Sequence, residues 1–142
     1  MTASPSFSPL TGGCQCGAVR YEISAEPLTT ATCHCRDCQY ASGGAPAHAL
    51  LLAPQALAVR RGQAREHRYL GDSGNTVVRS FCPDCGTPLF GHTEGQDYVI
   101  VKAGSLDDPA AFRSRMTLWA DSAPPWHHVD TSVPCHGGKA AG

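Results

Sequence analysis

Apolar and polar side chains alternate with a period of two over several short stretches of this chain. Val19, Tyr21 and Ile23 interleave with Arg20 and Glu22, the pattern of a strand with one buried face that ends by Pro27. Residues 29–32 are β-prone, residues 45–52 make an apolar run that stops before Pro54, and Leu57 and Val59 set out another short strand. Residues 66–70 and 76–81 flank Gly71-Asp72-Ser73-Gly74-Asn75, which predicts a hairpin. Two more short strands are read at residues 98–101 and 116–119.

Helical periodicity is nearly absent. Residues 39–44 read as a turn, or as a helical turn that breaks at its glycines, and Asp108 before Pro109 is placed to cap a brief helix. No repeat and no second core is legible. The pattern predicts one mainly β domain with little helix over residues 12–130. An N-terminal tail (residues 1–11) and a polar, small-residue C-terminal tail (residues 131–142) flank it.

Length and charge change this picture little. The 142 residues suit one domain with a moderate core. With 11 basic and 12 acidic residues, a formal charge of −1 and no charged block, nucleic acid is not an expected partner. No segment approaches the roughly 20 apolar residues of a membrane-spanning helix, so a membrane is not expected either. Residues 1–11 lack the basic start and apolar run of a signal peptide, and a cytoplasmic location is expected.

Cysteine changes it a great deal. Seven of the eight cysteines fall into three tight groups: Cys14 and Cys16, then Cys33, Cys35 and Cys38, then Cys82 and Cys85. Only Cys135 stands alone. In a cytosolic chain, clustered thiols at this spacing favour a soft metal such as zinc over disulfide bridges. The pairs Cys14/Cys16 and Cys82/Cys85 together complete a tetrahedron. A four-sulfur site of that kind has no room for substrate and would clamp the early strand to the later hairpin.

The central group, Cys33-His34-Cys35-Arg36-Asp37-Cys38, supplies three thiolates from one curled loop. A second zinc held there keeps a fourth position for water, a substrate thiol or another side chain, and an open position is the mark of catalytic zinc. The alternative is a second structural ion, closed by His34, His48, Cys135 or a terminal histidine. Ser42-Gly43-Gly44 follows, a candidate for presenting backbone N–H groups to an anion or carboxylate. His34 is expected to face away from the ion its neighbours bind. Arg79 is a candidate for attracting an acidic substrate, the plainer reading being an exposed strand arginine.

The ordered set of motifs carries a resemblance. Gly13-Cys14-Gln15-Cys16-Gly17-Ala18-Val19-Arg20-Tyr21, the central cysteine group, Phe81-Cys82-Pro83-Asp84-Cys85-Gly86-Thr87-Pro88-Leu89-Phe90, Gly104-Ser105-Leu106-Asp107-Asp108 and the Pro125-Trp126 corner span most of residues 12–129. Together they resemble the glutathione-dependent formaldehyde-activating enzyme family, also called the centromere-protein-V/GFA family, whose domains adopt a β-tent fold. The resemblance implies Cys14, Cys16, Cys82 and Cys85 as structural zinc ligands, and Cys33, Cys35 and Cys38 as ligands of a catalytic zinc.

It also implies a carbon–sulfur lyase that makes or cleaves S-hydroxymethylglutathione or a related adduct. The implied partner is a small thiol or aldehyde, glutathione among them, and a homo-oligomer is left open. One departure stands out: Thr117 occupies a position where many relatives carry histidine, and threonine offers no imidazole. Two other functions stay open, namely a zinc enzyme acting on another small aldehyde or thiol, and a non-enzymatic zinc-stabilised interaction module.

Overall fold

The computed structural model describes residues 7–139. Parts of both predicted tails, residues 1–6 and 140–142, lie outside the described residues. Among the described residues ten strands form two sheets. The smaller sheet holds β1 (Leu10–Gly13), β2 (Arg20–Ile23) and β5 (Leu57–Arg61), all antiparallel.

The larger sheet is built from β3 (Thr29–Cys33), β4 (Ala47–Leu52), β6 (Arg65–Leu70), β7 (Thr76–Phe81), β8 (Pro88–Thr93), β9 (Val99–Lys102) and β10 (Thr117–Leu118). Across the sheet the order is β10-β3-β4-β9-β8-β7-β6, antiparallel everywhere except between β10 and β3. The one α-helix is α1 (Arg36–Ala41), and four short 3₁₀ turns complete the elements among the described residues. The architecture is therefore two mostly antiparallel sheets with little helix. None of the described helices is long and apolar enough to cross a membrane.

The alternation read from the sequence is the one that packs. Val19, Tyr21 and Ile23 are buried, while Arg20 and Glu22 between them are half-exposed. They meet Leu50, Leu52, Leu89, Phe90 and Val101 of the larger sheet in one apolar cluster that also takes in Cys14 and Cys82. Tyr21 meets Phe90 edge to face, with ring centroids 5.2 Å apart. The Tyr21 hydroxyl pairs with Ser105 Oγ at 2.7 Å, and Ser105 donates to the Lys102 carbonyl, so both buried hydroxyls are satisfied.

The predicted hairpin forms, with Leu70 opposite Thr76 and Arg65 opposite Phe81. Asp108 caps a 3₁₀ turn at Pro109–Ala111 by accepting from the Ala110 N–H at 3.0 Å. Residues 134–138 run beside β10: the Thr117 N–H donates to the Pro134 carbonyl, that of His136 to Thr117 and that of Trp119 to Gly138.

The predicted turn at residues 39–44 differs. A helix starts earlier, at Arg36, and ends at Ala41, ahead of the glycines. The cause is local: Cys35 is extended and its sulfur accepts the Cys38 N–H at 3.3 Å, which caps the first turn as a serine or aspartate would.

Candidate metal centres

Two groups of sulfur atoms converge. In each, the ligand atoms all lie within 4.8 Å of one another: Cys14, Cys16, Cys82 and Cys85 in one, Cys33, Cys35 and Cys38 in the other. The first joins the turn after β1 to the turn after β7, across the two sheets. Cys14 and Cys82 are buried in the core cluster, whereas Cys16 and Cys85 face outward.

The donor set fits a tetrahedral ion. With metal–sulfur bonds of about 2.3 Å, tetrahedral corners sit about 3.8 Å apart. Cys14 Sγ lies 3.6 Å from Cys16 Sγ, which lies 3.8 Å from Cys82 Sγ. Backbone N–H groups point at the sulfurs: Val19 at Cys14 (3.2 Å), and Asp84 and Cys85 at Cys82 (3.4 Å each). Such donors stabilise thiolate over thiol. The Thr87 hydroxyl and N–H hold the Cys85 thiol down at about 5.

The second group sits where β3 meets α1. Its three sulfurs come from three kinds of backbone, which corrects the expected single loop: Cys33 ends β3, Cys35 is the helix cap and Cys38 lies inside α1. Arg36 and Asp37 accordingly occupy the helix's first turn, not a loop interior. Hydrogen bonds from Cys33 and Cys38 bring Cys35 down to about 2, while proximity to Cys35 pushes Cys33 up to about 11, and proximity to Cys33 and Cys35 raises Cys38. Packed this closely, the three thiols oppose one another's ionisation. A bound cation is what would let all three ionise.

The described residues bring no fourth cysteine, histidine or carboxylate ligand atom into this group. His48 Nδ1 pairs with Thr32 Oγ1 at 3.0 Å, and Cys135 is exposed beside Thr117. Thr117 is fully buried and its hydroxyl donates to the Asp130 carbonyl at 2.8 Å, so it presents nothing to a substrate.

His34 is fully buried too, and its Nδ1 lies 2.8 Å from His127 Nδ1. His127 Nε2 is 2.6 Å from the Gly44 carbonyl, which can only accept. Neutral His127 therefore carries its proton on Nε2 and accepts at Nδ1, so His34 donates from Nδ1. Burial, the largest cause, lowers the pKa of His34. Its Nε2 is left as a buried lone pair without a partner among the described residues.

The Ser42-Gly43-Gly44 segment is the end of α1. Ser42 and Gly44 both spend their N–H groups on the Gln39 carbonyl, at 3.3 and 2.7 Å. The Gln39 side chain in turn donates to the carbonyls of His34 (2.8 Å) and Ser122 (3.1 Å), tying the helix to the C-terminal turns. Neither Gln39 nor His127 was picked out for these roles from sequence. Their partners lie 83 and 93 residues away, and no spacing rule connects them.

The family model described as "Glutathione-dependent formaldehyde-activating enzyme" matches residues 9–122. Among solved structures, a Rhodobacter sphaeroides protein is similar with a TM-score of 0.57 and 23% identity, over 72% of this chain and 94% of that one. That likeness concerns the fold. Comparison with curated proteins gives no match.

Proposed function

Since this chain belongs to the glutathione-dependent formaldehyde-activating enzyme family, we propose that it is a zinc-dependent carbon–sulfur lyase. It makes or cleaves S-hydroxymethylglutathione or a related thiol–aldehyde adduct. The observation that carries this reading is the contrast between the two sulfur groups: one supplies four donors, the other three. Four thiolates complete a tetrahedron and clamp the sheets in a zinc-stabilised β-tent. Three leave a coordinate for chemistry.

Cys14, Cys16, Cys82 and Cys85 are assigned to the structural ion, and Cys33, Cys35 and Cys38 to the catalytic one. Zinc at the second group supplies Lewis acidity and favours thiolate over thiol. In the forward direction a thiol sulfur forms a bond to the aldehyde carbon, the carbonyl π pair moves to oxygen, and the thiol proton ends on that oxygen. Cleavage reverses each change, and no oxidant is needed.

The chain's own contribution is placement. β3 and α1 fix the three sulfurs, and the Gln39 and His127 contacts hold α1 against the sheet edge. Ser42, Gly43 and Gly44 are assigned to contact the far end of an extended substrate, through the N–H of Gly43. We take residues 12–130 as the family domain, with residues 1–11 and 131–142 as its flanks, in a reducing, cytoplasmic setting suited to thiolate ligands.

NMR exchange between free formaldehyde and S-hydroxymethylglutathione tests the reaction, comparing zinc-loaded protein with its Cys35→Ala form. Faster exchange only in the intact protein supports it. Equal rates with folding and zinc content verified would sink it.

A further inference from the structure

Two cations beside the three-sulfur group stand outside every ion pair among the described residues. Arg79 on β7 and Lys102 on β9 are both half-buried, and among the described residues neither forms an ion pair or a side-chain hydrogen bond. The Arg79 Nε is wholly buried and without a partner. Its guanidinium is held 5.0 Å over the Tyr69 ring, and Gly91, opposite Arg79 in the register, has no side chain to fill the space. A strand arginine of this kind is not a solvated surface charge. A polar donor withdrawn from water and left unpaired is costly unless a ligand completes it.

The position of these cations gives them a use. Both line two adjoining cavities between α1 and the larger sheet. The larger, of about 350 Å³, is lined also by Phe81 and Phe90; the smaller, of about 100 Å³, is lined by Cys38. A molecule reaching the three sulfurs from this side therefore passes Arg79 and Lys102. Asp37 is the acid on the smaller cavity, but it is exposed on the first turn of α1 and pairs with neither cation. A planar guanidinium matches a carboxylate's two oxygens, and the lysine adds a point charge.

We propose that Arg79 and Lys102 form a carboxylate-binding subsite beside Cys38, so that the preferred substrates are small thiols, or their aldehyde adducts, that carry a carboxylate. This rests on the thiol–aldehyde reading given above and narrows its substrate class.

The test uses zinc-loaded full-length protein and two probes of equal length, 3-mercaptopropionate and 3-mercaptopropionamide. Binding is followed by calorimetry and formaldehyde exchange by NMR. The carboxylate should be preferred by roughly 10- to 100-fold, the discrimination of a charge-assisted pair. Arg79→Met should bring the ratio of the two probes close to one and Arg79→Lys should restore part of it, with zinc content unchanged in both. Lys102→Met should lower the ratio by a smaller factor.

Exchange without preference, or a preference that survives Arg79→Met, overturns the subsite and leaves the reaction standing. Preferential binding without exchange supports the subsite and overturns the reaction. Absence of both binding and exchange overturns both.

Discussion

His34 and His127 meet nitrogen to nitrogen at 2.8 Å, one on the residue that follows β3 and the other in the turn after the Pro125-Trp126 corner. Because His127 also donates to the Gly44 carbonyl, the residues on either side of α1 are fastened to a turn 83 to 93 residues later at one ring. The direction of the proton follows from the carbonyl's inability to donate. Long-range ¹H–¹⁵N correlation spectra should accordingly show His34 as the Nδ1–H tautomer and His127 as the Nε2–H tautomer. The opposite pair of tautomers would overturn the assignment.

Removing the ring tests its mechanical role. His127→Ala leaves the His34 N–H and the Gly44 carbonyl without partners, and an unsatisfied buried group costs about 1–3 kcal/mol. Chemical denaturation should show a loss in that range. Metal content of the four-sulfur group, which this ring does not touch, should be unaltered.

The two sulfur groups should fail differently. Cys82 is fully buried in the core as well as being a candidate ligand, so Cys82→Ala should remove one bound ion and lower stability by several kcal/mol. Cys35→Ala should remove the other ion, abolish exchange activity and cost about 1 kcal/mol through loss of the α1 cap. Metal-to-protein ratios and urea midpoints on both variants check this. A collapse of the fold in Cys35→Ala with retention in Cys82→Ala would reverse the assignment.

How much of this was legible in the sequence depended on range. Strand alternation is a local signal, and Val19, Tyr21 and Ile23 lie in the core as their spacing implied. Cysteine grouping is local too, and the Cys14/Cys16 pair could be joined to Cys82/Cys85 because only four sulfurs complete a tetrahedron. What escaped was set by tertiary contacts. The start of α1 depends on a thiol acting as its cap, an unusual choice for that position. The His34–His127 pair, the burial of Arg79 and the engagement of the Thr117 hydroxyl by Asp130 each join segments whose approach no periodicity encodes.

A charge contact carries a pH signature. Asp107 accepts two hydrogen bonds from Arg20, one of them at 2.9 Å, and one from Thr11 at 2.7 Å. These hold its carboxyl down at about 2, from an ordinary 3.8. A carboxylate with a lowered folded-state value stabilises the fold at all pH above its unfolded value, and that contribution fades as pH falls from about 4 toward about 2. Both partners are more than a third exposed, so screening limits the contribution to under about 1 kcal/mol. Asp107→Asn should thus lower stability by a constant amount from about pH 5 to about pH 8. A penalty that changes within that window would mean another group is responsible.

Two glycines separate backbone strain from crowding. Gly62 and Gly74 both have positive φ, at 73° and 88°, a region that costs a residue with a Cβ about 1–3 kcal/mol. Around Gly74 a Cβ would meet open space, so Gly74→Ala should cost about 1 kcal/mol, the strain alone. At Gly62 the Cβ would collide with the carbonyl oxygen of Ala18, a backbone atom that cannot swing aside. Ala18 adjoins Val19, whose N–H bonds the Cys14 sulfur, so the displacement would pass directly into the four-sulfur group. Gly62→Ala should therefore lose well over the strain value and also weaken metal retention against a chelator, while Gly74→Ala retains metal as the unaltered chain does. Equal stability losses with equal metal retention would show that β5 and the Cys14 turn are not mechanically linked.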